Sequence, residues 1–430
     1  MSIAQTLDPA EVPPPPLVHR PPRPLGRYAA LTSAVLVLGA LGGYFAGHWN
    51  GFDQGAALRR ELPNGAVLSR PGPWGDLSYM PFMIAAPDAL IHVQALEAKG
   101  THWFFRGYTS DTFAALLNSM SLTPDQQDAL ISPSVLHVQP DGILLTPSAE
   151  LVISLADDAR DMLYKIMAQF PENESEIFFI RKATLDRQFA GSNLSPDTQA
   201  LFNLLSVQSG DYILFSGLSA LLSRVQGTEE KIHFVKALTS QQTMLLRLRI
   251  TPKSDLPALV EYWGKGCWGT DVGTVMQSLA NLSNGTWMNI LMALPPLPTE
   301  LLYDYPTIPD SAGNSPTANH TNLWTSLNFF RDDPNPNFAT HDDALKTLKE
   351  DYAMPAGDAR YGDVALFMTP DGRILHSGVY IADGICFTKV ADGPLDPWIL
   401  AFTTDVAARY AFQAAPGQPV SVTYFRSKRL

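Results

Sequence analysis

His376 is the residue of this chain best suited to moving a proton. It lies in the run Arg373-Ile374-Leu375-His376-Ser377-Gly378-Val379-Tyr380-Ile381, directly after the turn Thr369-Pro370-Asp371-Gly372. An imidazole titrates near neutral pH, so general acid–base chemistry is the natural role to weigh. A histidine in an apolar strand is also an ordinary core residue, and periodicity by itself favours that reading. Two thiols could serve as nucleophiles. Cys386 follows ten residues later. By strand parity it shares a face with Thr388 and could approach the histidine. Cys267, in Cys267-Trp268-Gly269, lies between two expected helices, Asp255–Trp263 and Val272–Leu282. Neither cysteine has a second one nearby, so no zinc pattern is present. Both read as isolated small hydrophobes, and a disulfide joining them would have to meet strict geometry. Hydroxyls at Thr321 and Ser326 are further candidates. Asp157, Asp158 and Asp161 read as a solvated helix face rather than a metal site. His341-Asp342-Asp343 reads as a helix start with carboxylates on the dipole. There is no Gly-rich phosphate loop and no evident internal repeat. No cofactor or metal is expected.

The stretch Gly362-Asp363-Val364-Ala365-Leu366-Phe367, a hairpin, His376-Ser377-Gly378-Val379-Tyr380-Ile381 and then Asp383-Gly384 resembles the NlpC-type papain-like cysteine peptidases. One extra residue separates the Asp from the Phe. The resemblance covers about residues 318–400 and is silent on 50–300. It implies a papain-like lobe in which a cysteine opens a helix packed on the sheet. The histidine acts as base and then acid, and a polar residue about twelve positions later orients it. Most members of that family cut peptidoglycan stem peptides. Carried onto this chain, the base position is His376 and the third position falls at Thr388, where His, Asn or Gln is usual. The nucleophile position falls at Asn322, in Asn322-Leu323-Trp324-Thr325-Ser326-Leu327. An amide cannot attack a carbonyl, and losing a covalent nucleophile costs about a millionfold in rate.

The elements that must position these residues follow from composition and pattern. Apolar residues make up 46% of 430 and charged residues 17%, enough for packed cores. Net charge is −12, with residues 1–50 contributing +1 and the remainder −13. So acidic a chain, without clustered Lys and Arg, excludes a nucleic-acid partner. Residues 28–47 carry no charge and, as a helix, would rise about 30 Å, the hydrocarbon thickness. They predict a single membrane span, ending within 28–49, behind a Pro-rich tail over 1–27. Arg20, Arg23 and Arg27 before the span predict a cytoplasmic N-terminus and an exported globule. Ala40-Leu41-Gly42 offers the competing reading of a cleaved signal. Gly39, Gly43 and Gly47 share a helix face suited to dimerisation.

After a linker over 50–70, the pattern predicts an α-rich lobe over 71–300. Its helices include Ser110–Met120 and Ser195–Leu205, the latter opened by Ser195-Pro196-Asp197. A strand is expected at Thr243–Ile250. The prolines and asparagines of 294–320 place a boundary before a C-terminal lobe over 315–430. There, helices His320–Phe330 and Asp342–Leu348 precede strands Tyr361–Met368, Arg373–Ile381, Ile385–Val390 and Val420–Phe425. The expected class is α+β, with an N-terminal membrane helix, a mostly helical middle and a papain-like helix-plus-antiparallel-sheet end. Three functional readings follow. The first is a membrane-anchored pseudo-peptidase that binds a peptide or cell-wall fragment, or is structural. The second is an active hydrolase using Cys386 or a hydroxyl. The third is a scaffold whose working part is the middle lobe.

Overall fold

The computed structural model describes residues 60–61, 65–266, 272–307, 317, 320–415 and 417–429. Seventeen strands occur among them, in chain order. They are β1 (Arg60–Glu61), β2 (Val67–Leu68), β3 (Leu77–Ile84), β4 (Trp103–Arg106), β5 (Leu136–Gln139), β6 (Gly142–Leu145), β7 (Ile177–Arg181), β8 (Ser206–Ser209), β9 (Tyr212–Ser216), β10 (Gln241–Ile250), β11 (Thr286–Asn289), β12 (Tyr352–Ala353), β13 (Val364–Met368), β14 (Ile374–Ala382), β15 (Ile385–Lys389), β16 (Trp398–Phe402) and β17 (Ser421–Ser427). The chain forms two compact units. Val93–Phe179 and Ser195–Val225 belong to the first. The second holds the described part of Ala30–His92 together with Ile180–Leu194 and Gln226–Leu430.

The first unit holds the three-stranded sheet β4-β6-β5 and most of a second, β7-β9-β8, whose strand β7 runs past Phe179 into the second unit. The expectation of a mostly helical middle lobe is corrected accordingly: short helices flank hairpins. The expectation of no internal repeat is corrected too. Two successive segments, from Trp103 to Ser154 and from Ile177 to Leu222, each run strand, helix, helix, strand, strand, helix, with the same sheet order. Their sequences agree at a few constraining places. Thr123-Pro124-Asp125 and Ser195-Pro196-Asp197 both open a helix, with the hydroxyl capping Gln126 N–H in one and Thr198 N–H in the other. Proline at the first helical position and a hydroxyl before it suit that local geometry. Phe104-Phe105 matches Phe178-Phe179, and Val138-Gln139 before one hairpin turn matches Val207-Gln208 before the other. A period of about seventy residues with so few shared positions hides the duplication from a search for short repeats. Trp103, Phe105, Phe113, Ile143, Leu145 and Leu163 are buried in this unit. Trp103 Nε1 donates to Ser216 Oγ (3.1 Å) and Tyr164 Oη to Ser216 O (3.3 Å), which satisfies their polar ends.

The second unit carries a five-stranded sheet, β1-β2-β3-β10-β11, and a six-stranded sheet, β12-β17-β13-β14-β15-β16. Every strand pair recorded in them is antiparallel, and Phe367 stands opposite His376 in the β13–β14 hairpin. Thr243 on β10 joins the sheets by donating to Leu400 O (3.3 Å) and accepting from Leu400 N–H (3.1 Å) on β16. One buried cluster runs from Tyr79, Leu246 and Trp263 through Leu301 to Trp324, Val379 and Trp398. Tyr262 Oη and Tyr361 Oη cross it, donating to Ile381 O and Ala293 O. Residues on the two sides of the boundary expected within 294–320 share this single apolar core.

No described helix is long and apolar enough to cross a membrane. The longest, Thr228–Thr239, has 12 residues, a rise of about 18 Å against about 30 Å of hydrocarbon. The stretch 28–47 with Gly39, Gly43 and Gly47, and Cys267, lie outside the described residues. The fold class is corrected to α+β in both units, with no membrane-spanning helix among the described residues.

Candidate functional site

The C-terminal elements come close to the expected ones. The helix is Asn322–Asn328, opened by Thr321, whose Oγ1 accepts from Trp324 N–H (3.1 Å). Sequence reading missed β16 and the Thr403–Tyr410 helix that follows it. That helix decides the geometry of the site, because the two helices pack on opposite faces of the sheet. Leu323, Trp324 and Leu327 share a cluster with Val364, Leu366, Val379, Ile381 and Phe387. Val406 and Tyr410 share another with Ala365, Phe367 and Cys386. Successive side chains of a strand point to opposite faces, so the parity of each residue fixes which helix it meets.

His376 faces the Thr403–Tyr410 helix. Its ring stacks on Tyr410 at 4.4 Å and 17° and lies 5.7 Å from the Phe367 ring. It is 1% exposed. Nε2 is 2.7 Å from Thr388 Oγ1. Thr388 Oγ1 also lies 2.8 Å from Ser377 O and 3.1 Å from Lys389 O, carbonyls able to accept its proton. The imidazole Nδ1 has no partner among the described residues. Burial, and secondly the Arg409 charge, bring the imidazole pKa down to about 3. The expected pair of His376 and Thr388 is brought together. His376 and Asn322 are not.

Asn322 is met instead by Ser377, the neighbour of opposite parity. Ser377 Oγ donates to Asn322 Oδ1 (3.1 Å) and lies 3.0 Å from Ser326 Oγ, which donates to Asn322 O (2.9 Å). Asn322 N–H donates to Asp392 Oδ1 (3.2 Å), whose carboxyl burial pushes above its ordinary range. On the same side Lys389 is buried, with Nζ 5.3 Å from the centre of the Trp398 ring. His320 stacks on Trp324 at 3.6 Å, and burial, then Lys389, lower its pKa to about 4. None of Ser377, Lys389, Asp392 and His320 was singled out from sequence. The available signal was strand alternation, which puts Ser377 and Lys389 on the face opposite His376 and Thr388.

Cys386 lies on the His376 face, as parity predicts. It is fully buried, and burial pushes its thiol up to about 12. Such a thiol stays protonated and is a poor nucleophile. Thr321 is spent capping its helix, and Ser326 is 3% exposed within the Ser377–Asn322 network. Asp161 pairs with Lys165 (2.7 Å), Asp157 with Arg160, and Asp158 caps Ala159 N–H (2.9 Å). His341 opens its helix, as expected. Among the described residues, no group of three or more His, Cys, Asp or Glu could hold a metal ion.

The remaining motif residues carry structural work. Asp363, 2% exposed, holds Arg426 in a fork at 2.8 and 2.7 Å and accepts Arg360 N–H (2.8 Å). Gly362 has φ +91°, and a Cβ there would lie 2.2 Å from the Phe330 ring. Asp383, at φ +49° in the β14–β15 turn, accepts from Arg70 Nε at 2.6 Å. The geometry thus defines an α+β protein with a two-sided polar sheet: a sealed histidine on one face and a serine–amide network on the other. No protein-family model, no curated protein and no solved structure matches this chain.

Proposed function

We propose that the protein works without covalent hydrolysis, as a binding or structural module that keeps an NlpC-like strand motif for folding. The observation that carries this reading is the parity of β14: His376 and the Asn322 helix lie on opposite faces of the sheet. A thiol peptidase needs base and nucleophile within hydrogen-bond reach. Here the base position faces a tyrosine ring, and the helix start carries an amide held by a serine. The protonated, buried Cys386 supports the same reading. As a binding module, the protein would take a peptide or a cell-wall fragment; the duplicated α+β segments between Trp103 and Leu222 support a scaffold role beside it.

The test is incubation of the purified full chain with peptidoglycan stem peptides, followed by mass spectrometry. The expected result is no cleavage product and no labelling of Cys386 by a thiol-directed probe in the native state. Product that disappears in His376→Ala would overturn the proposal.

A further inference from the structure

The geometry points to β11 as a docking edge for an acidic, extended segment of a partner protein, added as a sixth strand to the five-stranded sheet. β11 ends that sheet, and among the described residues nothing pairs with its outer side. The direction of its free backbone groups follows from β10. Arg249 N–H donates to Asp76 O (2.8 Å), on the β3 side, so Arg249 and its opposite number Trp287 form a pair without ladder bonds. The N–H and C=O of Trp287 therefore point outward, and so do those of Asn289, two residues on.

Edge strands are normally guarded by Lys, Pro, bulges or extreme shortness. β11 reads Thr-Trp-Met-Asn and carries no charge. The six-stranded sheet shows how this chain closes an edge: Leu302 bridges Trp398, with Tyr303 N–H on Trp398 O (2.8 Å) and Trp398 N–H on Asp304 O (3.1 Å). β11 has no such cover among the described residues. Trp287, on the strand, is a large apolar side chain left exposed, as are Leu282 and Met292 just before and after it in the chain.

Charge selects the occupant. Arg247 and Arg249 point to the same sheet face as Trp287, by alternation and by the Arg249–Trp287 register. Arg249 lies over the Trp287 ring at 5.5 Å with Nη2 donating to Asn284 O (2.6 Å), and neither arginine is in an ion pair with a carboxylate among the described residues. On a chain of net charge −12 this is a basic, aromatic strip. A second copy laid across β11 would add only another uncharged strand. A segment with carboxylates at alternate positions would set them beside Trp287 and Asn289, on the face that Arg247 and Arg249 share one strand behind, while its backbone completes the ladder.

The test uses the full chain and a fluorescent peptide of alternating Glu and Val, with an alternating Lys and Val peptide as control. Binding is read by anisotropy, and hydrogen exchange is followed on the peptic fragment spanning 283–292. The expected result is binding of the Glu peptide only, with slowed exchange in that fragment. The double variant Arg247→Glu, Arg249→Glu should weaken binding at least about tenfold at low salt. Equal binding of both peptides, unchanged exchange at saturation, or protection that rises with protein concentration alone would overturn the proposal. Protection by phosphatidylglycerol vesicles but not by the peptide would overturn it as well.

Discussion

Acidification from pH 7 to pH 5 should destabilise the second unit through His376 more than through any exposed histidine. The imidazole falls from its ordinary 6.5 to about 3 in the folded state because it is sealed against Tyr410, Phe367 and Thr388 beside Arg409. Folding favours the neutral form. Its contribution is therefore complete above the unfolded value and is lost as pH falls from about 6.5 toward 3. At pH 5 nearly all unfolded chains carry the proton at this site and almost no folded ones do, so linkage gives a loss of about 2 kcal/mol relative to pH 7. The assay is urea unfolding of a Cys267→Ser chain, in which thiol labelling of Cys386 reports opening of this unit. With a urea slope of about 2–3 kcal/mol/M, the wild-type midpoint should drop by nearly 1 M. His376→Gln loses part of the Thr388 contact at all pH values, and its midpoint should change far less between pH 7 and pH 5. The other histidines, His320 with its pKa of about 4 included, act equally in both proteins and cancel in the comparison. Equal drops in wild type and His376→Gln would refute a sealed neutral imidazole.

Arg426→Met leaves Asp363 buried without its fork and should cost about 2–4 kcal/mol, less than a fully buried pair because Arg426 is 28% exposed; urea midpoints measure it. Thr243→Val removes both bonds that tie β10 to β16 and leaves Leu400 N–H and C=O without that partner, a loss of about 1–3 kcal/mol by the same assay. Cys386 should resist thiol reagents in the native state over hours and react fully in denaturant; rapid native labelling would show its burial to be wrong.

Local signals made most of the C-terminal elements readable. The Thr369-Pro370-Asp371-Gly372 turn, the Asp383-Gly384 turn and the apolar runs between them place β13, β14 and β15 within a few residues. What could not be read was which side of the sheet the Asn322 helix would take. Every residue of β13 and β15 is buried, since a sheet covered on both faces loses the polar–apolar alternation that marks an outward side. With that mark gone, a family pattern supplied the orientation, and the packing of the Thr403–Tyr410 helix reversed it. β16 was missed because the sequence around Pro394 and Pro397 reads as a loop until Trp398 finds Lys389 as its cross-strand partner. The repeat between Trp103 and Leu222 escaped for a related reason: its copies share helix starts and hairpin order but few core identities.

On the proposed reading, the strand motif of this chain serves packing. Asp363 anchors Arg426, Gly362 admits the Phe330 ring, Asp383 pins Arg70, and His376 ties Thr388 to the sheet while stacking on Tyr410. Each of these contacts belongs to the packing of the fold, whether or not a substrate is bound. A spacing of Gly-Asp, His and Asp-Gly across a hairpin can thus persist on packing grounds, since it specifies two tight turns and a buried hydrogen bond between neighbouring strands. The residue that tells the two cases apart is the one opposite the helix start. In this protein it is Ser377, whose hydroxyl holds Asn322 in place, and a side chain engaged in that way is positioned to fix a helix rather than to activate a nucleophile.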